Sequence, residues 1–135
     1  MRRGVTFVAL RADGAVLLRE RPLKGLLGGM LETPSSPWAE AKGDCGSGTE
    51  HAPLKADWKK LPGLVEHTFT HFHLELSVYR AEVGLDAEPK RAAQPSRCRW
   101  LTPRELPGAA LPSVMRKVLG HALHEHELRP ARKRA

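Results

Sequence analysis

Aromatic residues are scarce in this sequence, with three Phe, three Trp and one Tyr among 135 residues. A core built from so few rings must be mostly aliphatic. Cysteine is scarcer still, Cys45 and Cys98 being the two thiols. They lie far apart with no Cys-x-x-Cys spacing, which excludes a cysteine-built zinc or iron–sulfur centre within this chain. Free thiols in a reducing compartment are expected. No apolar run approaches the roughly 18 to 20 residues that span a bilayer, and the basic start Met1-Arg2-Arg3 leads into a short Val5–Leu10 run without a signal-like cleavage site. The expectation is a soluble, unprocessed, cytoplasmic protein with no membrane partner. Acidic residues are in deficit, 15 Asp+Glu against 22 Lys+Arg, for a formal net charge of +7. Such an excess suits nucleic acid or another polyanion as partner, although it also serves plain solubility.

Several catalytic signatures are missing too. The glycine-bearing stretch Arg21–Met30 lacks the Gly-Lys-Ser/Thr of a P-loop, and there is no Gly-x-Ser-x-Gly elbow. Glu32 and Glu40 stand singly in loop-like sequence, with no run that places two or three glutamates on one helix face to hold magnesium. Metal-dependent phosphate chemistry therefore lacks its ligands, and no catalytic residue and no metal ligand is assigned.

What is present is enough for one domain: 135 residues, 41% of them hydrophobic, provide a single core of ordinary size. Val5–Leu10 and Ala15–Arg19 read as strands joined by Arg11-Ala12-Asp13-Gly14, whose Asp-Gly pair suits a tight hairpin. Arg21 to Met30 reads as a loop in which Gly25, Gly28 and Gly29 permit unusual backbone angles or close approach to a ligand. Backbone amides there, with Lys24 adding charge, could meet a phosphate, and a plain turn would look the same. From Thr33 to Pro53 the Ser, Pro, Gly and Asp content predicts a mobile surface connection, followed by a short helix over Leu54–Lys60. Leu64–Val83 reads as one long strand, because Phe72, Leu74, Leu76 and Val78 alternate with His73, Glu75, Ser77 and Tyr79. Arg97–Leu101 is a further strand. Thr102-Pro103-Arg104-Glu105 is a helix start that Pro107 and Gly108 stop within a turn or two. The 3.6-residue period of Val114, Met115, Val118, Leu119, Ala122 and Leu123 predicts a helix from about Pro112 to Glu127, with Arg116, Lys117 and His121 on its other face. Strands, an irregular stretch, more strands and a terminal helix indicate an α+β domain.

The densest chemical constellation is His67-Thr68-Phe69-Thr70-His71-Phe72-His73. On one strand His67, Phe69, His71 and His73 would share a face, a spacing that resembles zinc ligation by the three histidines and equally describes ordinary strand histidines. Phe69 and Phe72 would then face opposite ways, leaving one of them outside the core. An exposed Phe beside a hydroxyl and an imidazole suits the reading of an unstacked base, the ring wedging while Thr70 and His71 hydrogen-bond.

Three segments, in order, resemble the C-terminal, Nudix-like domain of MutY-type adenine DNA glycosylases. They are Gly14-Ala15-Val16-Leu17-Leu18-Arg19-Glu20-Arg21-Pro22 through Gly25-Leu26-Leu27-Gly28-Gly29-Met30, then His67–Leu74, and finally Trp100-Leu101 with Leu111–Leu119. The likeness covers roughly residues 4 to 120. It implies a Nudix-like mixed β-sheet flanked by helices, spanning 4–127, with residues 1–3 as residual linker, a mobile loop at about 33–53 and a disordered basic tail at 128–135. It also implies a domain that clamps double-stranded DNA and reads 8-oxoguanine mispaired with adenine. The family's Phe-Ser-His reading loop corresponds to Phe69, Thr70 and His71, where Thr for Ser keeps the hydroxyl and adds a methyl. Backbone contacts are expected from Lys24, Gly25 and Leu26 and from Arg116 and Lys117.

The departures from the family pattern carry expectations of their own. The helical catalytic domain, with its base-excising carboxylate and iron–sulfur cysteines, is not in this sequence. The chain is therefore read as a fragment, a truncated gene product or a separately made domain, non-catalytic alone, without a cofactor of its own and monomeric. Its partners would be damaged DNA and that helical domain. Ser35-Ser36 follows Pro34 where a Nudix hydrolase has Gly-Gly, and no glutamate-rich helix comes after it. The alternatives are a Nudix-type hydrolase of oxidised nucleotides and a small zinc module built on His67, His71 and His73.

Overall fold

The structure, a computed structural model, describes residues 1–40 and 49–123. Eight strands form one mixed sheet: β1 (Arg2–Arg11), β2 (Val16–Glu20), β3 (Leu31–Glu32), β4 (Ala39–Glu40), β5 (Lys59–Lys60), β6 (Val65–Thr68), β7 (His73–Val83) and β8 (Cys98–Leu101). The spatial order β3-β2-β1-β7-β5 has β4 added to β1, β6 to β7 and β8 to β2. β1 and β7 run parallel, in register from Arg2 opposite Leu74 to Arg11 opposite Val83. The other pairings are antiparallel.

The first hairpin forms as the sequence predicts. Gly14 takes φ +89°, Arg11 N donates to Ala15 O at 2.8 Å, and Asp13 Oδ1 accepts from Ala15 N at 3.2 Å. β1 is buried from Gly4 to Leu10 on both faces. On one face Val8 and Leu10 join Leu74, Leu76, Val78 and the apolar stripe of the α-helix α1 (Ser113–Ala122). On the other, Phe7 packs edge-on to Trp58 (centroids 5.2 Å apart) and stacks on Tyr79 (5.6 Å). A helix on one face and residues 49–58 on the other make the sheet the middle layer. α1 is the sole α-helix among the described residues, and among them no helix is long and apolar enough to cross a membrane.

Five expectations are corrected. Residues 1–3 are not linker, because Arg2 and Arg3 are paired in the sheet with both β7 and β4. The stretch from Thr33 is not a mobile surface connection at its start. Thr33 to Ser35 is buried, Phe7 N donates to Pro34 O and Ser36 N to Val5 O, both at 2.9 Å. The hydroxyls that look loop-like in sequence satisfy one another inside: Ser35 Oγ donates to Thr6 Oγ1 (2.7 Å), which also bonds Thr33 Oγ1. Residues 41–48 of that stretch, with Cys45, lie outside the described residues, as do residues 124–127 of the predicted helix and the 128–135 tail. No helix forms over Leu54–Lys60. Leu54 and Trp58 have helical spacing, but it is the Trp58 indole N–H that donates to Leu54 O (3.0 Å), and Lys59–Lys60 pairs with β7. At Thr102 the Glu105 carboxylate does accept from the Thr102 amide and hydroxyl (2.9 and 3.0 Å). The chain then makes a single turn and a 3-10 turn over Leu106–Gly108, not an α-helix. The fifth correction, the break in the long Leu64–Val83 strand, makes the site.

Candidate nucleic-acid interface

β6 and β7 are the two arms of a hairpin, with Thr68 opposite His73. Phe69 N donates to Phe72 O at 2.8 Å, so Thr70 and His71 form a two-residue tip, and both are exposed. Neither tip residue has positive φ, so the turn needs no Gly or Asn and carries neither as a turn marker. The reversal places Phe69 and Phe72 opposite each other on the same side, contrary to the opposite faces a continuous strand predicts. Both pack partly against the α1-side core, with centroids 4.9 Å apart and planes tilted by 33°.

The pair is the middle of a longer ladder. Trp38 lies against Phe69 (5.9 Å, 31°), and it closes over Gly4, where a Cβ would stand 3.0 Å from Trp38 Cδ1. The His67 ring meets Phe69 edge-on at 4.7 Å. Each end carries a guanidinium over a ring face: Arg2 is 4.1 Å from the Phe72 centroid and Arg21 4.6 Å from that of Trp38. Arg2, Arg19, Arg21, Trp38 and His51 also line a cleft of about 460 Å³ beside the ladder. Trp38, Arg2 and Arg21 are absent from the sequence-based site. Their one signal in the sequence is a lone Trp in a Ser/Pro stretch that reads as loop.

The three histidines do not converge. Lys117 Nζ donates to Glu66 O (3.1 Å) and lies 3.0 Å from His67 Nδ1. Burial, and next the positive charges of Lys117 and His73, push the His67 imidazole below its usual pKa. His73 instead shares Nδ1 with the Thr68 hydroxyl (2.9 Å) and sets Nε2 3.3 Å from Glu66 Oε1. Among the described residues the group whose donor atoms gather within 4.8 Å is Glu66, His73 and Glu75, and Arg3 Nε already donates to Glu75 Oε1 at 3.0 Å. The zinc reading of His67, His71 and His73 thus loses its geometry.

Of the other sequence-derived contacts, Lys24, Gly25 and Leu26 form an exposed loop tip. The amides behind it are used within the loop, Gly28 N donating to Gly25 O, Gly29 N to Arg21 O and Met30 N to Leu27 O (3.3, 3.2 and 3.2 Å). Arg21 Nε donates to Leu26 O (3.0 Å) and pins the loop toward the cleft. Arg116 and Lys117 are exposed on α1. Arg116 Nη2 donates to Ala109 O (3.1 Å), and Lys117 braces the hairpin through Glu66 O. Glu32 is buried and bridges Arg19 and Arg21 (3.3 and 2.9 Å), so its carboxylate is engaged by two cations.

Residues 5–121 match the family described as NUDIX domain. The chain belongs to that family. Its relatives include adenine DNA glycosylases: the human enzyme is 33% identical over 109 residues, and the mouse enzyme 36% over 115 residues. Each alignment covers 76% of this chain but 20% and 21% of those proteins, so the chain spans about a fifth of their length. A solved complex of the C-terminal domain of mouse MUTYH with human PCNA contains a domain 31% identical to this one. It superposes with TM-score 0.62 over 90% of this chain and 86% of that domain. The MutT protein of Methanosarcina mazei, at 15% identity, shares the fold (TM-score 0.67, 88% and 90% covered). The mixed-sheet Nudix fold predicted from the sequence is thereby borne out, and the resemblance to the C-terminal domain of adenine DNA glycosylases holds. The mouse relative was solved bound to PCNA, so that domain carries at least one protein interface.

Proposed function

We propose that this Nudix domain is a DNA-recognition module of the adenine glycosylase type, reading 8-oxoguanine opposite adenine through Phe69, Thr70 and His71. The observation that carries the reading is the hairpin tip. Two exposed hydrogen-bonding residues, Thr70 and His71, project beyond a phenylalanine backed by three aromatic rings. A ring so backed keeps its orientation when a base step is pried open, and the tip then meets the base edge. 8-Oxoguanine has a protonated N7 and an oxygen at C8, whereas guanine has an acceptor at N7. A threonine hydroxyl that accepts from N7–H separates the two bases by hydrogen-bond sign. Lys24, Gly25, Leu26, Arg116 and Lys117 are candidates for backbone contact, excision of adenine belongs to a separate helical domain, and neither a metal nor a cofactor is required by this module.

The hydrolase reading has less support. Nudix hydrolysis needs free carboxylates for magnesium, and Glu32 is buried between two arginines.

The test is an NMR titration of the chain with matched duplexes, one holding 8-oxoguanine opposite adenine and one guanine. Lesion-dependent shifts centred on Phe69, Thr70 and His71 are expected. Thr70→Ala should reduce the preference for the lesion by about 1–3 kcal/mol, the scale of a base-edge contact. Identical shifts for both duplexes, or an unchanged preference in Thr70→Ala, would sink the assignment.

A further inference from the structure

Five arginines on and beside the sheet carry ion pairs. Arg3 is paired with Glu75, Arg11 with Asp13, Arg19 and Arg21 with Glu32, and Arg80 with Glu82. Arg2 has no carboxylate and no hydrogen-bond acceptor among the described residues. It is exposed, sits over the Phe72 ring face with its guanidinium carbon 4.1 Å from the centroid, and lines the 460 Å³ cleft. Its position is fixed by the sheet, because Arg2 is locked in register opposite both Leu74 and Glu40. A guanidinium held by a ring face keeps its N–H edge directed outward, where it matches the two oxygens of a phosphate.

We infer that Arg2 is a phosphate-contacting residue of the DNA interface, with Phe72 as its platform. The first sheet strand, not the tip alone, then sets where the DNA backbone lies relative to the reading turn. The inference rests on the DNA-recognition reading above. The partner it specifies is a nucleic-acid backbone, since one unpaired guanidinium beside an aromatic ladder and an exposed base-reading tip offers charge and stacking together. The other two arginines of the cleft are engaged by Glu32, which leaves Arg2 as the cleft arginine able to take up a phosphate without breaking an ion pair.

The test measures affinity of the whole chain for the lesion and the undamaged duplex across a salt series, for the parent, Arg2→Gln, Arg2→Lys and Thr70→Ala. Loss of one phosphate contact makes the slope of log K against log salt shallower by about 0.9 and lowers affinity about fivefold near physiological salt. Arg2→Gln should do both equally for the two duplexes, leaving lesion preference intact, and Arg2→Lys should keep the slope. An unchanged slope in Arg2→Gln with DNA still bound overturns the phosphate assignment while leaving the lesion-reading proposal standing. A change of lesion preference without a change of slope also overturns it, by showing that Arg2 acts through the Phe72 ring. Loss of preference in Thr70→Ala with a normal Arg2 response supports both, and failure of the parent to bind either duplex overturns both.

Discussion

Glu32 shows how one residue can organise a site without touching the proposed ligand. Its side chain is 6% exposed and accepts from Arg19 and Arg21, on and just beyond β2. Arg21, so held, reaches Leu26 O in the glycine loop and covers the Trp38 ring. Removing the carboxylate leaves two partly buried guanidiniums without their ion-pair partner, a loss on the scale of a broken buried pair. Glu32→Ala should therefore destabilise the domain by about 3 kcal/mol, read as a lowered urea midpoint. A change below about 0.5 kcal/mol, the range of an ordinary surface substitution, would show that water already screens this group. Gly28 constrains the same loop differently, since a Cβ there would lie 2.1 Å from Leu23 O. Cys98 offers a contrast: burial raises its thiol pKa, which lowers its thiolate fraction.

At the scale of elements, α1 is amphipathic as its sequence period predicts. Val114, Met115, Val118, Leu119 and Ala122 are buried on it, and Arg116, Lys117 and His121 face outward. Gly120 sits in its last turn, exposed, and among the described residues no neighbouring atom lies within 4 Å of where a Cβ would stand. Because glycine costs a helix interior about 0.5–1 kcal/mol relative to alanine, Gly120→Ala should stabilise the protein by that amount. A raised thermal midpoint is the expected result, and a lowered one would mean that this surface meets something the side chain obstructs. The β6–β7 hairpin had its strand period legible in sequence, with Leu74, Leu76 and Val78 inward as alternation requires. Its turn left no Gly, Asn or Pro mark, because Thr70 and His71 close it without positive φ, and its one trace is the shift of inward positions from odd (Val65, Phe69) to even (Phe72, Leu74).

Across the whole molecule, the helix and the reading hairpin are coupled through His67. Lys117 on α1 donates to Glu66 O and sits at His67 Nδ1, while His67 abuts Phe69. Protonating His67 places a second positive charge beside Lys117 and near His73. Its folded pKa lies below the ordinary 6.5, so the unfolded chain binds the proton more readily. The associated stability is fully present above the unfolded value of 6.5 and is lost as pH falls through the folded value. Urea midpoints should drop as pH falls below that ordinary value, and His67→Gln should flatten the drop. Equal slopes in parent and variant would assign the effect to other groups. Asp13 acts lower on the scale: the Arg11 guanidinium holds its carboxyl at about 2, so what it contributes is present above the usual 3.8 and fades as pH falls toward 2.

What the sequence by itself determined are the features that depend on local period and turn chemistry. These are the Asp13-Gly14 hairpin, the alternation of β7, the apolar stripe of α1 and the ordered motifs that mark a Nudix-like, glycosylase-type domain. What the tertiary structure alone decided depends on partners distant in sequence. Thr33–Ser35 is a buried edge of the core and not a loop, because Thr6 and β1 supply its hydrogen bonds. Trp38 belongs with Phe69, about thirty positions onward, and Arg2 with Phe72, because parallel pairing of β1 with β7 brings Arg2 beside the hairpin. Parallel pairing has no short-range signal, since its two strands are joined by a long crossover, and the site it assembles is for that reason invisible along the sequence.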